Sequence, residues 1–291
     1  MPEQIVRLGV MGGSGVYHME GVEIVAEHRL ATPFGAPSDA VVETRIGDQS
    51  VYFLPRHGRG HVLLPSEVPF RANVYAMKQM GVTHLLAISA VGIMRESIKP
   101  GDMVVPDQIF DRTRGIRAGT FFGEGIAGHV TFADPFCGEL RNLLLAAAKN
   151  SGVTTHNGGT YICMEGPQFS TRAESHFYRR EVNATVIGMT ALPEAKLARE
   201  AEMCYAMLAM GTDYDCWHEA EEDVSVEAVV AVLKANAEHA NQIVCTLAAQ
   251  LPRTSDCDCL NVAQFAIITS PDAISSAAKE RLGLLYGKYW T

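Results

Sequence analysis

Short apolar runs that end in glycine or a polar turn recur along the chain, at Ile5–Met11, Val51–Leu54, His84–Ser89, Met103–Val105, Tyr161–Met164, Thr185–Met189 and Met203–Met210. Runs of this length and β-rich composition predict buried strands, the last with room for some helical character. Between several of them lie segments of helical period: Pro69–Met80, Glu139–Asn150, Arg172–Arg180, Pro193–Glu202 and Ser225–Gln250. Thr171 followed by Glu174 predicts a capping box at a helix start, and Pro193 suits a first helical turn because its missing N–H is not needed there. Strands alternating with helices predict an α/β fold. The pair Val41–Ile46 and Ser50–Leu54 around Gly47-Asp48 predicts an antiparallel hairpin, so the sheet is expected to be mixed. Neither a repeat nor a long linker divides the sequence, which predicts a single domain over residues 1–291 with the segment from about 252 to 291 at its periphery.

Composition narrows the partners. Of the 291 residues, 47% are hydrophobic and 20% charged, which suits a folded globular chain. A formal charge of -9 removes the diffuse attraction to phosphate backbones that nucleic-acid binders use, yet a few local Arg, hydroxyl and backbone N–H groups suffice for a small anion. No stretch reaches the ~20 apolar residues of a membrane span, and the N-terminal MPEQIVRLGVMGGSG lacks the apolar run of a signal peptide. The expectation is a cytoplasmic protein without membrane or nucleic-acid partners. Seven cysteines stand at 137, 163, 204, 216, 245, 257 and 259 with no C-x-x-C pair, which argues against zinc and against a disulfide framework. Cys257 and Cys259 are expected as ordinary thiols of a C-terminal loop, with a redox-active pair as the alternative.

In an open α/β sheet, ligands collect beyond the carboxyl ends of strands. Gly12-Gly13-Ser14-Gly15 follows a strand and offers backbone N–H groups and a hydroxyl to an oxyanion, without the spacing of a dinucleotide fingerprint or the lysine of a P-loop. A plain tight turn is its simplest alternative. Arg56-His57-Gly58-Arg59-Gly60-His61 sets two guanidiniums after a strand, and guanidinium makes forked contacts with phosphate oxygens; a solvated basic loop is the competing reading. Ser89 and Thr190 end strands and would add hydroxyl donors, although either alone reads equally as a turn residue. Asp213-Tyr214-Asp215 brings two carboxylates together, and in a half-buried cleft one of two such groups keeps a proton and serves as an acid. An Asx-turn is the structural alternative, and no neighbouring His or Glu completes a metal site. Val226, Val229, Val230 and Leu233 form an apolar helical stripe, which alone reads as a core face.

Taken in order, GGSG, TPFGAPSD, RHGRGH, EGPQFSTRAE, GMTALPEAKLARE and TDYDCW resemble the 5′-methylthioadenosine phosphorylases of the purine nucleoside phosphorylase superfamily, from about residue 7 to about residue 268. The resemblance implies one α/β domain around a mixed, partly barrel-like sheet flanked by helices, assembled as a homotrimer with sites at subunit interfaces. It implies no cofactor and no metal, with inorganic phosphate as co-substrate. Carried over residue by residue, Ser14, Arg56, His57, Ser89, Ala90 and Thr190 match the phosphate site, and Met189 lies against the ribose. Phe169, Ser170, Asp213 and Asp215 match the purine pocket. Val226, Val229 and Val230 match the 5′-methylthio pocket, with His129 and Ile268 reaching in from a neighbouring subunit.

These residue types suit the implied chemistry. Breaking the C1′–N9 bond leaves positive charge on the ribose and negative charge on the purine, so a phosphate beside the sugar and an acid near N7, here Asp213, both favour the transition state. Carboxylates accept from a 6-amino group, whereas a 6-oxo group wants a donor. Valines suit a thiomethyl better than a 5′-hydroxyl, since a buried hydroxyl without a partner costs about 1 to 3 kcal/mol. Gly188 departs from the family pattern, which often carries Asn there. That keeps phosphorolysis of methylthioinosine, inosine or guanosine as the alternative, with a non-catalytic purine-binding protein as an alternative of another class.

Overall fold

The computed structural model describes residues 4–13, 23–218 and 226–290, with the side chains of 226–231 and 233–235 outside the description. In chain order the elements begin with strands β1 (Gln4–Ile5), β2 (Leu8–Gly12), β3 (Glu23–His28), β4 (Val41–Ile46) and β5 (Gln49–Pro55), then helix α1 (Phe70–Gln79). There follow β6 (His84–Ile93), β7 (Met103–Val105), β8 (Gln108–Arg112), α2 (Gly138–Lys149), β9 (Thr155–Asn157), β10 (Thr160–Met164) and α3 (Arg172–Arg180). The last are β11 (Val186–Gly188), α4 (Ala191–Glu200), β12 (Cys204–Asp213), α5 (Val226–Gln250), β13 (Thr254–Ser255) and α6 (Ser276–Tyr286).

Eleven of these strands make one mixed sheet in the order β3-β4-β5-β2-β6-β11-β10-β8, with β12, β7 and β9 continuing from the other edge of β6. The central strands alternate between two buried faces. Leu85, Ala87, Tyr205, Met207 and Ala209 point into one core with α1, α4 and α6, while Leu86, Ile88, Ala206, Leu208 and Met210 point into the other with α2 and α5. Burial on both faces explains why these strands read as continuous apolar runs rather than alternating ones.

β6 positions the site. β2 pairs with it in parallel from His84 to Ala87, and β11 takes the same edge in antiparallel fashion only at Gly92 and Ile93. Residues 88–91 between them have no strand partner on that edge among the described residues, so the ladder opens where Ser89 and Ala90 lie. The opposite edge of β6 stays paired with β12 throughout this stretch.

Several expectations change in detail. Ile5–Met11 divides into β1 and β2 around Arg7, and β1 leaves the main sheet to pair with β13. Met203–Met210 is strand without helical character and runs on to Asp213. The capping box of Thr171 and Glu174 is present. α4 starts at Ala191, but Leu192 has strand-like angles, as the residue before a proline prefers, so the regular turns begin at Pro193. The C-terminal segment contributes side chains to both cores. Leu282 and Tyr286 of α6 are fully buried in the first core, and Leu260 is buried in the second. Its short apolar clusters carry too little periodicity to announce this.

Candidate active site

The opening beside β6 leads into a cavity of about 250 Å³ walled by the ends of β2, β5, β6, β11 and β12. Gly13, His57, Ser89, Ala90 and Thr190 line one part of it, and Phe169, Met189, Asp213 and Asp215 another. Of the sequence-predicted residues, Ser14 lies outside the described residues, as do the side chains of Val226, Val229 and Val230.

At the hydroxyl-rich end, the Thr190 Oγ1 donates to Ser89 Oγ at 3.0 Å and ties the start of α4 to β6. Ser89 Oγ donates in turn to the Ala90 carbonyl at 3.1 Å. His57 Nδ1 stands 2.8 Å from the Leu63 carbonyl, which requires the proton on Nδ1 and leaves Nε2 as an acceptor. Burial, with the Arg56 charge beside it, lowers the imidazole to about 4, so it is neutral at physiological pH. His61 stacks on it with ring centroids 4.3 Å apart.

Arg56 is 1% exposed, and its fork is already engaged. Nε and Nη2 hold the two oxygens of Glu194 at 2.6 and 3.0 Å, Nη2 also donates to the Met11 carbonyl at 2.9 Å, and Nη1 donates to the Ile88 carbonyl at 3.1 Å. With five N–H groups on a guanidinium, these four bonds leave one N–H, on Nη1, for an anion. The forked anion contact expected of Arg56 is therefore spent on Glu194, itself fully buried and bonded by the Tyr205 hydroxyl at 3.0 Å. The contact with Ile88 plugs the first residue of the open edge.

At the other end, Asp213 Oδ1 accepts from the Asp215 N–H at 2.8 Å, and Oδ2 from the Thr212 hydroxyl at 2.6 Å. Asp215 is buried and Asp213 half-buried. Burial raises the Asp215 carboxyl above its ordinary value, and the neighbouring Asp213 charge pushes the same way. The bond from the Asp215 N–H to Asp213 Oδ1 is the Asx-turn of the structural alternative, and of the two carboxyls Asp215 is the one whose environment favours the proton. Ser170 is half-buried beside them through its carbonyl, which accepts from the Cys216 thiol at 3.3 Å. Phe169 is half exposed at the mouth.

Gly188 has a local cause. A Cβ at this position would collide with the Tyr161 hydroxyl and lie 2.8 Å from its Cζ, because Tyr161 fills the space beside β11. The Tyr161 hydroxyl accepts from the Thr190 N–H at 3.4 Å. Glycine at 188 is thus a packing complement of Tyr161.

His129 and Ile268 lie apart from this cavity. They sit on the surface of the same chain, joined by the bonds His129 N–H to the Ala266 carbonyl and Ile268 N–H to the Ala127 carbonyl, both 2.9 Å. Both side chains are exposed, as is Phe265 nearby.

Sequence reasoning missed the braces behind the lining residues. Buried Arg117 pairs with Glu165 at 2.6 Å and donates from Nη1 to the carbonyls of Met189 and Leu192 at 2.6 and 2.7 Å, fixing the turn that carries Thr190. Glu165 also accepts from the Ser66 hydroxyl at 2.5 Å and the Arg114 N–H at 2.7 Å. A charge in a loop gives no signal of its burial; Glu194, inside an otherwise apolar first turn, was the one available hint. Cys257 and Cys259, expected as loop thiols, are buried and meet Cys137 and Cys204.

The family model of the phosphorylase superfamily matches residues 7–249. The chain is 54% identical to the S-methyl-5′-thioadenosine phosphorylase of Geobacter sulfurreducens, covering 99% of both chains. It is 53% identical to the protein of that name from Chloroflexus aurantiacus, covering 98% of each. Among solved structures, a methylthioadenosine phosphorylase from an antarctic soil metagenomic library superposes with a TM-score of 0.89 at 44% identity, over 97% of this chain and 99% of that one. An adenosine/methylthioadenosine phosphorylase variant from Schistosoma mansoni, solved in complex with methylthioadenosine, gives 0.79 at 37% identity over 84% and 91%.

Proposed function

The chain belongs to the phosphorylase superfamily, and from that premise we propose that it cleaves S-methyl-5′-thioadenosine with inorganic phosphate, giving adenine and 5-methylthioribose 1-phosphate. The observation that carries the reading is the union, in one cavity, of a hydroxyl-rich strand opening at Ser89, Ala90 and Thr190 with the carboxyl pair Asp213 and Asp215. Relatives at about half identity over the whole chain bear the name of this activity.

Phosphate sits at the opening of β6. The hydroxyls of Ser89 and Thr190, the last N–H of Arg56 and, by the resemblance, Ser14 of the Gly12-Gly13-Ser14-Gly15 motif supply donors, and His57 Nε2 accepts the P–O–H of monohydrogen phosphate. A neutral His57 and an Arg56 balanced by Glu194 keep the phosphate from being over-neutralised, so its negative charge remains available to a ribose that becomes cationic. A phosphate oxygen bonds to C1′ as the C1′–N9 bond breaks, and the electron pair of that bond leaves with the purine.

A proton at N7 stabilises the departing base. A protonated carboxyl has a donor and an acceptor side by side, which matches N7 and the 6-amino group of adenine, as an Asn or Gln amide matches the same edge in DNA recognition. A 6-oxopurine presents two acceptors on that edge and pairs poorly. We assign the contact to Asp213, the less buried of the pair, which carries the pair's single proton when it faces N7, whereas in the resting site that proton sits on the deeper Asp215. Met189 covers the ribose, Phe169 and Ser170 flank the base, and the resemblance gives the thiomethyl to Val226, Val229 and Val230.

The enzyme works without a cofactor in the cytoplasm, as a homotrimer in which His129 and Ile268 complete a neighbour's 5′ pocket. The exposed apolar side chains of Phe265 and Ile268, 89% and 68% accessible, support an interface there. Comparing kcat/KM for methylthioadenosine and methylthioinosine tests the base assignment. Methylthioadenosine is expected to lead by about 10- to 100-fold, the worth of a mismatched buried hydrogen bond; equal turnover or a lead for methylthioinosine would remove it.

A further inference from the structure

Four cysteines from three distant parts of the chain converge at the start of β12. Cys137 is the N-cap of α2, Cys204 is the first residue of β12, and Cys257 and Cys259 follow β13 in the C-terminal segment. All four are buried, and their sulfurs lie within 4.8 Å of one another. Cys137 and Cys257 are 3.7 Å apart. A disulfide would hold two sulfurs at about 2.05 Å. A tetrahedral ion with metal–sulfur bonds of about 2.3 Å spaces its sulfurs about 3.8 Å apart, close to the 3.7 Å between Cys137 and Cys257 and inside the 4.8 Å that bounds all four. Polynuclear iron–sulfur cores hold their cysteines further apart, so the cage fits a single ion.

The surroundings suit thiolates. The Leu140 N–H in the first turn of α2 donates to Cys137 Sγ at 3.5 Å, and Arg199 Nη1 donates to Cys259 Sγ at 3.6 Å. A helix N-terminus and a guanidinium both favour negative sulfur, and such outer contacts orient metal ligands.

We infer that Cys137, Cys204, Cys257 and Cys259 form a closed tetrathiolate site for one divalent cation of the zinc class. On binding, four metal–sulfur bonds form, the thiol protons pass to solvent and no electron is transferred. Four protein ligands leave no open position, which marks a structural ion. β12 is 10 residues long with Cys204 and Asp213 at its two ends, about 30 Å apart at the rise of a strand. The ion therefore takes no part in phosphorolysis; it fastens the C-terminal segment to α2 and the sheet.

The test is metal analysis of the full-length protein prepared without a metal-affinity step, with native and denaturing mass spectrometry of the same sample. About one zinc per chain is expected, lost on denaturation, and the cobalt-substituted protein should show thiolate-to-cobalt charge transfer with tetrahedral bands. Cys259→Ser should lose the ion, whereas Cys245→Ser, outside the cluster, should keep it. Metal-free wild-type protein with all four thiols open to alkylation would overturn the inference. So would a non-reduced mass short by the hydrogens of two disulfides. Both are read on the wild type, so a variant that fails to fold does not blunt the test.

Discussion

Asp213 and Asp215 stand two residues apart yet differ in burial. Asp213 faces the cavity between two hydrogen-bond donors, while Asp215 is held up by burial. Asp213→Asn removes the carboxyl assigned to N7 and is expected to lower kcat on methylthioadenosine by about 10²- to 10⁴-fold, read in steady-state assays with folding checked by circular dichroism. The Asp-x-Asp pair was legible in the sequence by its spacing, which read as an Asx-turn as well as a pair of crowded carboxyls, and the turn is present. Which of the two keeps the proton was not, because that depends on depth in the fold. Gly188 is similar. The sequence showed the departure from the family pattern but not its cause, which is the ring of Tyr161, distant in the chain and adjacent in space. Gly188→Ala is therefore expected to destabilise the protein by about 1–3 kcal/mol through overpacking, visible as a lowered urea midpoint.

The site is built at strand ends, and what holds those ends is buried charge. Arg56 at the end of β5 and Glu194 on α4 clasp one another across the sheet. Removing only the arginine leaves an uncompensated carboxylate, so Arg56→Ala is expected to cost about 3–5 kcal/mol. The double variant Arg56→Met/Glu194→Gln should cost less than the sum of the single changes, and a double-mutant cycle in urea measures the difference. Glu200, at the other end of α4, is pushed up to about 7 by burial, against bonds from the Phe121 N–H and the Thr120 hydroxyl. Its unfolded value is near 4.5. The native state thus binds the proton more tightly, and this contribution to stability is complete below the unfolded value and is lost as pH rises towards 7. Glu200→Gln should flatten the fall in stability between those limits, a term on the order of 3 kcal/mol. Helices and strands were largely visible as apolar periodicity. The exposed β3 and β8 were not, because they bury too little to impose a pattern, and the cysteine cage was not, because its ligands come from three segments.

For the whole molecule, one interrupted ladder decides where the cavity lies. The fold places β2 and β11 on the same edge of β6 and leaves four residues between them, and the hydroxyls of Ser89 and Thr190, the arginine plug and the carboxyl pair all gather around that opening. No helix of the described chain is long and apolar enough to cross a membrane. The alternation of strands and helices announced an α/β fold, but a break in pairing on one edge is a property of topology that no local pattern displays. Phosphorolysis is read from adenine release from S-methyl-5′-thioadenosine by the purified protein, with and without inorganic phosphate. Adenine together with 5-methylthioribose 1-phosphate is expected when phosphate is present and none above background when it is absent; release that ignores phosphate, or no release in either case, would rule phosphorolysis out.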